Sequence, residues 1–338
     1  MRKRLMRYVF ATCCLLAGSA QCQAGVVSFG SGANQFNMEF VTIGNPGNAA
    51  DTTGKPNPAG AVGYTYGIGK FEVRRDMITK FNASQSLQIT LGDLSFYGGN
   101  GPNKPITGVS WNAAARFVNW LNTSSGGFAA YKFTTAGVDD NIALWDVSDT
   151  LDYDASNPYR SKRTTYVLPS YNEWYKAAYY SPSGFYYDYP NGSNTRPTAV
   201  TSGTTADTAV YTQLGEASPI GPADVDQAGG LSPYGVMGLG GNVWEWEETS
   251  ADLANSSGSS FRGFRGCAWV DTLLDPTDLS SSSRYNTIPN YVNYYSGIGF
   301  RVASLSPSSP PAVPEPSMMV IGTLFGLGGL VAKRRMKK

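Results

Sequence analysis

Apolar residues recur at helical spacing in three stretches of this chain. Val73, Met77, Ile78 and Phe81 share one face of a first predicted helix. Ala114, Phe117, Val118 and Leu121 do the same for a second, running from about Ser110 to Leu121. The third carries its own start signal. Ser170-Tyr171-Asn172-Glu173 fits a capping box, in which the serine hydroxyl takes an orphan backbone N–H and the glutamate reaches back. Trp174, Ala177 and Ala178 then form its apolar stripe. Val26–Phe29, Tyr64–Lys70 and Gly299–Ala303 read as short strands between Gly, Pro and Asn turns. No repeat and no break in composition divides residues 25–305, so they form one α+β, loop-rich domain.

The two ends follow different rules. Arg2, Lys3, Arg4 and Arg7 precede a short apolar run and the triplet Cys22-Gln23-Ala24, the order of a secretory signal peptide over residues 1–24. The run is too short to span a bilayer core of about 30 Å comfortably. Residues 306–313 form a Pro/Ser linker with no apolar pattern to pack. Pro314-Glu315-Pro316 follows, then an apolar, glycine-rich segment from Met318 to Ala332, then a basic end at Lys333, Arg334, Arg335, Lys337 and Lys338. The tail over residues 314–338 resembles the PEP-CTERM sorting signal. That resemblance implies an exosortase as processing partner, transient membrane anchoring, export through the inner membrane, and a final place at the cell surface or outside the cell.

Charge and residue types then narrow the chemistry. The ends hold nine of the 26 basic residues, which leaves 17 against at most 25 acidic ones. A domain with a net charge of about −8 repels nucleic-acid phosphates, so no nucleic-acid partner is expected. Cys13, Cys14 and Cys22 lie in the signal peptide, and Cys267 is the only cysteine beyond it, which excludes a disulfide within the mature domain. The chain has no histidine. Ser-His-Asp and Cys-His nucleophile systems and imidazole-ligated metal sites are therefore excluded.

Several blocks occur in a telling order: Ile68-Gly69-Lys70-Phe71-Glu72-Val73, Pro105-Ile106-Thr107-Gly108-Val109-Ser110-Trp111-Asn112-Ala113-Ala114, Leu168-Pro169-Ser170-Tyr171-Asn172-Glu173-Trp174, Gly241-Asn242-Val243-Trp244-Glu245-Trp246, Arg265-Gly266-Cys267-Ala268-Trp269 and Gly299-Phe300-Arg301-Val302. Over roughly residues 40–303 this resembles the formylglycine-generating enzyme, or sulfatase-modifying factor, family. The resemblance implies an elaborated C-type-lectin-like fold. In that family's oxidases, two cysteines hold copper. The matching positions here are Asp271 and Pro276, which cannot supply two soft thiolates for Cu(I). Cys267 stands where the family usually has glycine, and reads as a small apolar residue. Family members that use iron need histidine. No copper or iron site is expected.

The same resemblance implies Ca2+ at the carbonyls of Gly241 and Val243 and the carboxylate of Glu245. A further side-chain ligand is missing, because its position is Gly238. Asp224-Val225-Asp226 does not continue as an EF-hand loop, since Ala228 and Gly235 stand where acidic ligands belong. Trp244 and Trp246 read as core. Trp269, Tyr285, Tyr291, Tyr294 and Tyr295 offer either a ligand surface for stacking on sugars or packing under long loops. The resulting expectation is a non-catalytic binding or structural protein of the cell surface or matrix. Exosortase sorting makes an exopolysaccharide or matrix component its expected partner. The alternative is a formylglycine-generating-type oxidase with an altered site.

Overall fold

The computed structural model describes residues 25–270, 276–292 and 297–305. The signal peptide, the linker and the Pro314-Glu315-Pro316 tail lie outside these residues, as do Asp271, Tyr294 and Tyr295. In chain order the elements are β1 (Gly25–Phe29), β2 (Phe36–Ile43), β3 (Tyr66–Gly69), α1 (Arg75–Ser84), α2 (Trp111–Ser124), β4 (Tyr166–Val167), α3 (Tyr171–Tyr179), β5 (Thr198–Val200), β6 (Thr208–Val210), β7 (Trp244–Ser250), β8 (Arg262–Arg265), β9 (Tyr285–Thr287), β10 (Ile298–Gly299) and β11 (Ala303–Ser304). The fold is α+β, with short elements separated by long loops, as the sequence pattern predicts.

Each helix forms where its apolar face has a core to meet. In α1, Met77, Ile78 and Phe81 are buried, whereas Val73 is buried in the extended segment before it. Ser110 caps α2 by accepting from the Ala113 N–H at 2.9 Å. The capping box of α3 is complete: the Glu173 N–H donates to Ser170 Oγ at 3.3 Å, and the Ser170 N–H to Glu173 Oε2 at 2.6 Å. Between α1, α2 and the first sheet, Phe36, Phe81, Phe117, Trp120 and Phe300 pack ring against ring. A second cluster sets Trp174, Tyr175 and Tyr179 of α3 beside Val41, Ile43 and Ile68.

The larger sheet has the order β1-β2-β3-β11-β4, and the smaller β10-β7-β8-β9; β5 and β6 form a separate parallel pair. The segment predicted as one strand over Gly299–Ala303 is two. Gly299 pairs with Glu245 in the smaller sheet, and Ala303 pairs with Ile68 and Val167 in the larger. Between them, the carbonyls of Phe300 and Val302 accept from the N–H groups of Val73 and Gly69 at 2.9 and 2.7 Å. The backbone is satisfied by two different partners, and the crossing carries Arg301 into the interior between the sheets.

Candidate functional site

The Gly241–Trp246 segment is shaped by its first two residues. Gly241 has φ of 81°, and a Cβ there would lie 2.3 Å from the Val210 carbonyl oxygen, so only glycine fits. Asn242 is also left-handed, at 63°. Its side chain accepts from the Ala223 N–H at 2.8 Å and donates to Glu72 Oε1 at 2.9 Å. Strand β7 then begins, and all seven of its residues are buried.

Glu245 points into the space that Arg301 enters. Arg301 Nε donates to Glu245 Oε2 at 2.6 Å and Nη2 to Oε1 at 2.5 Å, while Trp174 Nε1 donates to Oε2 at 2.7 Å. The remaining guanidinium N–H groups reach the carbonyls of Gly69 at 2.8 Å and Met237 at 2.9 Å. Burial alone would disfavour the Arg301 charge, but Glu245 holds its pKa above the ordinary arginine value. The expected Ca2+ ligands fit this geometry poorly. Both oxygens of Glu245 already accept charge-assisted or indole donors, and Arg301 supplies the positive charge a cation would bring. At Gly238, a side chain would run into Glu72, whose Oε1 lies 2.4 Å from where a Cβ would stand. Among the described residues, no three Asp, Glu or Cys side chains converge as a metal-binding group.

Glu72 itself is the anomaly of the cluster. Its Oε2 is buried with no hydrogen-bond partner. Burial pushes its pKa up to about 8; Arg301 pulls against that shift and Glu245 adds to it.

Two more buried carboxylates follow along β7. Glu247 accepts from Arg265 Nε and Arg284 Nε, each at 2.7 Å. Glu248 accepts from Arg160 at 2.6 Å, and the same guanidinium reaches Glu173 of α3 at 3.0 Å. Four arginines (160, 265, 284 and 301) thus meet four glutamates (173, 245, 247 and 248) around one strand. A fifth, Arg262, is clamped between the rings of Trp111 and Tyr159, 4.4 and 4.2 Å away. The clustered arginines hold loops to the strand by their second donors, as Arg265 does at the Ser283 carbonyl, 2.6 Å away. These are positioning groups, with one donor, Arg265 Nη2, buried without a hydrogen-bond partner.

Cys267 is fully buried with φ of 70°, a left-handed conformation that explains why glycine is the expected residue there. Its Sγ faces the Ala268 carbonyl at 3.7 Å. Pro276 opens a single 3-10 turn, Pro276–Leu279. Of the five aromatics that offer either a ligand surface or packing, Trp269, Tyr285 and Tyr291 lie among the described residues. Trp269 is only 2% exposed, because Gly297 lies directly on its ring and the Tyr97 ring meets it edge-on. Tyr291 is half-buried against the core. Tyr285 is exposed, but its ring packs on Phe264 and Trp244 and its hydroxyl donates to Asp278 at 2.8 Å. Trp244 and Trp246 are core, as predicted.

A groove that sequence reasoning missed lies on the far side of α2. It is an open depression of about 390 Å3 lined by Gln85, Arg116, Trp120, Lys132, Phe133 and Trp145. Its residues come from the end of α1, the body of α2 and the long loop after α2, so no local motif marks it.

A family model described as the sulfatase-modifying factor enzyme 1-like domain matches residues 51–305. Comparison with curated proteins finds no match. Among solved structures, Treponema denticola variable protein 1 is similar with a TM-score of 0.55 at 20% identity, over 83% of this chain and 98% of that one. CarF gives 0.49 at 17% identity, covering 84% and 97% of the two chains. PvdO from Pseudomonas aeruginosa gives 0.46 at 18%, covering 83% and 98%. At such identity the first likeness is one of fold, and no functional weight is put on the other two.

Proposed function

This chain belongs to the sulfatase-modifying factor enzyme 1-like domain family, and on that premise we propose that its domain is a non-catalytic binding or structural module of the cell surface or extracellular matrix. The observation that carries the reading is Cys267. It is the only cysteine beyond residue 24, and its thiol is buried against its own backbone. The oxidase chemistry of the resembling enzymes needs two thiolates on copper beside a substrate cysteine. One buried sulfur, with no histidine anywhere in the chain, cannot hold Cu(I) in that way. Losing the ligands of the metal removes activity outright. Copper-loaded protein offered a sulfatase-type cysteine peptide should form no aldehyde.

Under the same reading, residues 1–24 direct export. Pro314-Glu315-Pro316, with its apolar segment and basic end, then presents the tail to an exosortase. An exopolysaccharide or matrix component is the proposed partner of the released domain. In a host with a matching exosortase, the intact mass of the surface-released form should lack Met318 to Lys338. A released form that still carries them contradicts the processing.

A further inference from the structure

One wall of the depression beside α2 is a stripe of the helix at positions i, i+3, i+4 and i+7: Arg116, Asn119, Trp120 and Thr123. Phe133 and Trp145, from the loop after α2, line it as well, and Trp120, Phe133 and Trp145 are all half-buried. Each ring is held in place. Phe36 stacks on Trp120 at 5.9 Å and 24°, and Phe81 meets it edge-on at 5.6 Å and 87°. Trp145 Nε1 donates to the Ala130 carbonyl at 2.9 Å, and the Arg116 guanidinium lies 3.8 Å from the centre of the Phe133 ring. Asn119 ties loop to helix in both directions, accepting from the Tyr131 N–H at 2.8 Å and donating to its carbonyl at 2.7 Å. The cations here already have partners: Lys132 pairs with Asp149 at 2.6 Å, and Arg116 Nη2 donates to the Thr135 carbonyl at 2.9 Å. An uncharged occupant breaks no ion pair.

The described chain ends next to this wall. The Leu305 N–H donates to the Thr165 carbonyl at 2.8 Å, and the Thr165 N–H donates at 3.1 Å to Oδ1 of Asn122, which lies between Trp120 and Thr123 on α2. Residues 306–314 follow, with no charge among them and with prolines at 307, 310, 311 and 314. Polyproline II has three residues per turn, so Pro307 and Pro310 share one face, and Pro311 and Pro314 another. Grooves lined by aromatic rings recognise such segments, because the conformation is formed in advance and loses little entropy on docking. At about 3.1 Å per residue the segment reaches roughly 28 Å, against about 10 Å along α2 from Thr123 to Arg116. We propose that residues 306–314 dock as a polyproline II segment on Trp120, Phe133 and Trp145 of their own domain. The contact holds Glu315 and the rest of the Pro314-Glu315-Pro316 motif close to the folded domain instead of at the end of a free tether. It goes beyond the binding-module reading and requires neither that reading nor the cutting of the tail.

The test is the rate at which elastase cuts between Ala312 and Val313 in the full-length protein, followed by mass and divided into the rate for the free peptide of residues 306–317. A short tether supplies an effective concentration of about 1 mM, so a contact of only about 0.1 mM in trans is about nine-tenths closed in the intact chain. Cleavage should be about tenfold slower than in the peptide. Replacing Pro307, Pro310 and Pro311 by serine, measured against the matching peptide, should bring the two rates within about twofold, and so should Trp145→Ala. If Trp145→Ala proves unstable, Thr123→Arg takes its place, since Thr123 is exposed and the longer side chain fills the same end of the groove. A native rate equal to that of the peptide overturns the proposal. Protection that survives the proline replacements or the groove substitution overturns it too, because the shielding then lies elsewhere. Protection lost on tenfold dilution assigns the groove to the linker of a second copy and contradicts docking within one chain. None of these outcomes bears on aldehyde formation, so this contact and the non-catalytic reading fail separately.

Discussion

Arg160→Met lowers the stability of the folded chain by about 3–5 kcal/mol, measured by urea unfolding at neutral pH. Among the described residues, Arg160 is the only cation bonded to two of the buried carboxylates. Its Nε donates to both oxygens of Glu248, at 2.8 and 2.7 Å, and its Nη atoms reach Glu173 at 3.1 and 3.0 Å. Methionine leaves two carboxylates fully buried with neutral donors only, such as Asn157 Nδ2 to Glu248 Oε2 at 2.8 Å. Removing one partner of a buried pair costs more than the pair is worth, since the remaining charge is stranded in a low dielectric. Adding Glu248→Gln to Arg160→Met should therefore restore part of the loss. The sign with pH is fixed as well. Burial works to raise the Glu173 pKa, but Arg160 overrides it and holds it below the ordinary carboxylate value. The stabilisation is thus present above pH about 4.5, the unfolded value, and fades as pH falls through the lower folded one. Arg160→Met should flatten that acid limb. A loss below about 1 kcal/mol would mean that the pair behaves like an exposed salt bridge.

Glu72→Gln removes a pH dependence of the opposite sign. The folded state holds the Glu72 proton up to pH about 8, while the unfolded chain releases it near 4.5. Stability should fall as pH rises across that window, by at most about 1.4 kcal/mol per pH unit. Glutamine keeps the acceptor for Asn242 and carries no charge, so its urea midpoint should stay level over the same range. At pH 8 the variant should be the more stable protein. Parallel slopes for the two proteins would show that Glu72 is not the group responsible.

The part of the fold legible in the sequence is the part that local chemistry dictates. The capping box at Ser170 and Glu173 lies within four residues and forms as read. Trp244 and Trp246 were readable as core because a strand with bulky rings on alternate positions needs a covered face. The charge cluster was not readable. Glu247 finds its arginines 18 and 37 residues away, and Glu248 finds Arg160 across 88. Nothing in Trp-Glu-Trp-Glu-Glu announces that all three glutamates are buried. The two alternatives for Trp269 could not be decided in the sequence, because its exposure depends on Gly297, a remote residue that lies on its ring. The split of Gly299–Ala303 between two sheets depends likewise on which N–H groups the loops at Gly69 and Val73 present.

The central claim is that this family member keeps the scaffold without the oxidase chemistry, and product formation tests it most directly. Full-length protein is loaded with copper(I), mixed in air with a sulfatase-type peptide containing one cysteine, and the peptide mass is followed beside a protein-free copper control. The account predicts peptide unchanged beyond the control, in native protein and in Cys267→Ser alike. Conversion of the cysteine to an aldehyde above the control, abolished by Cys267→Ser, would contradict it.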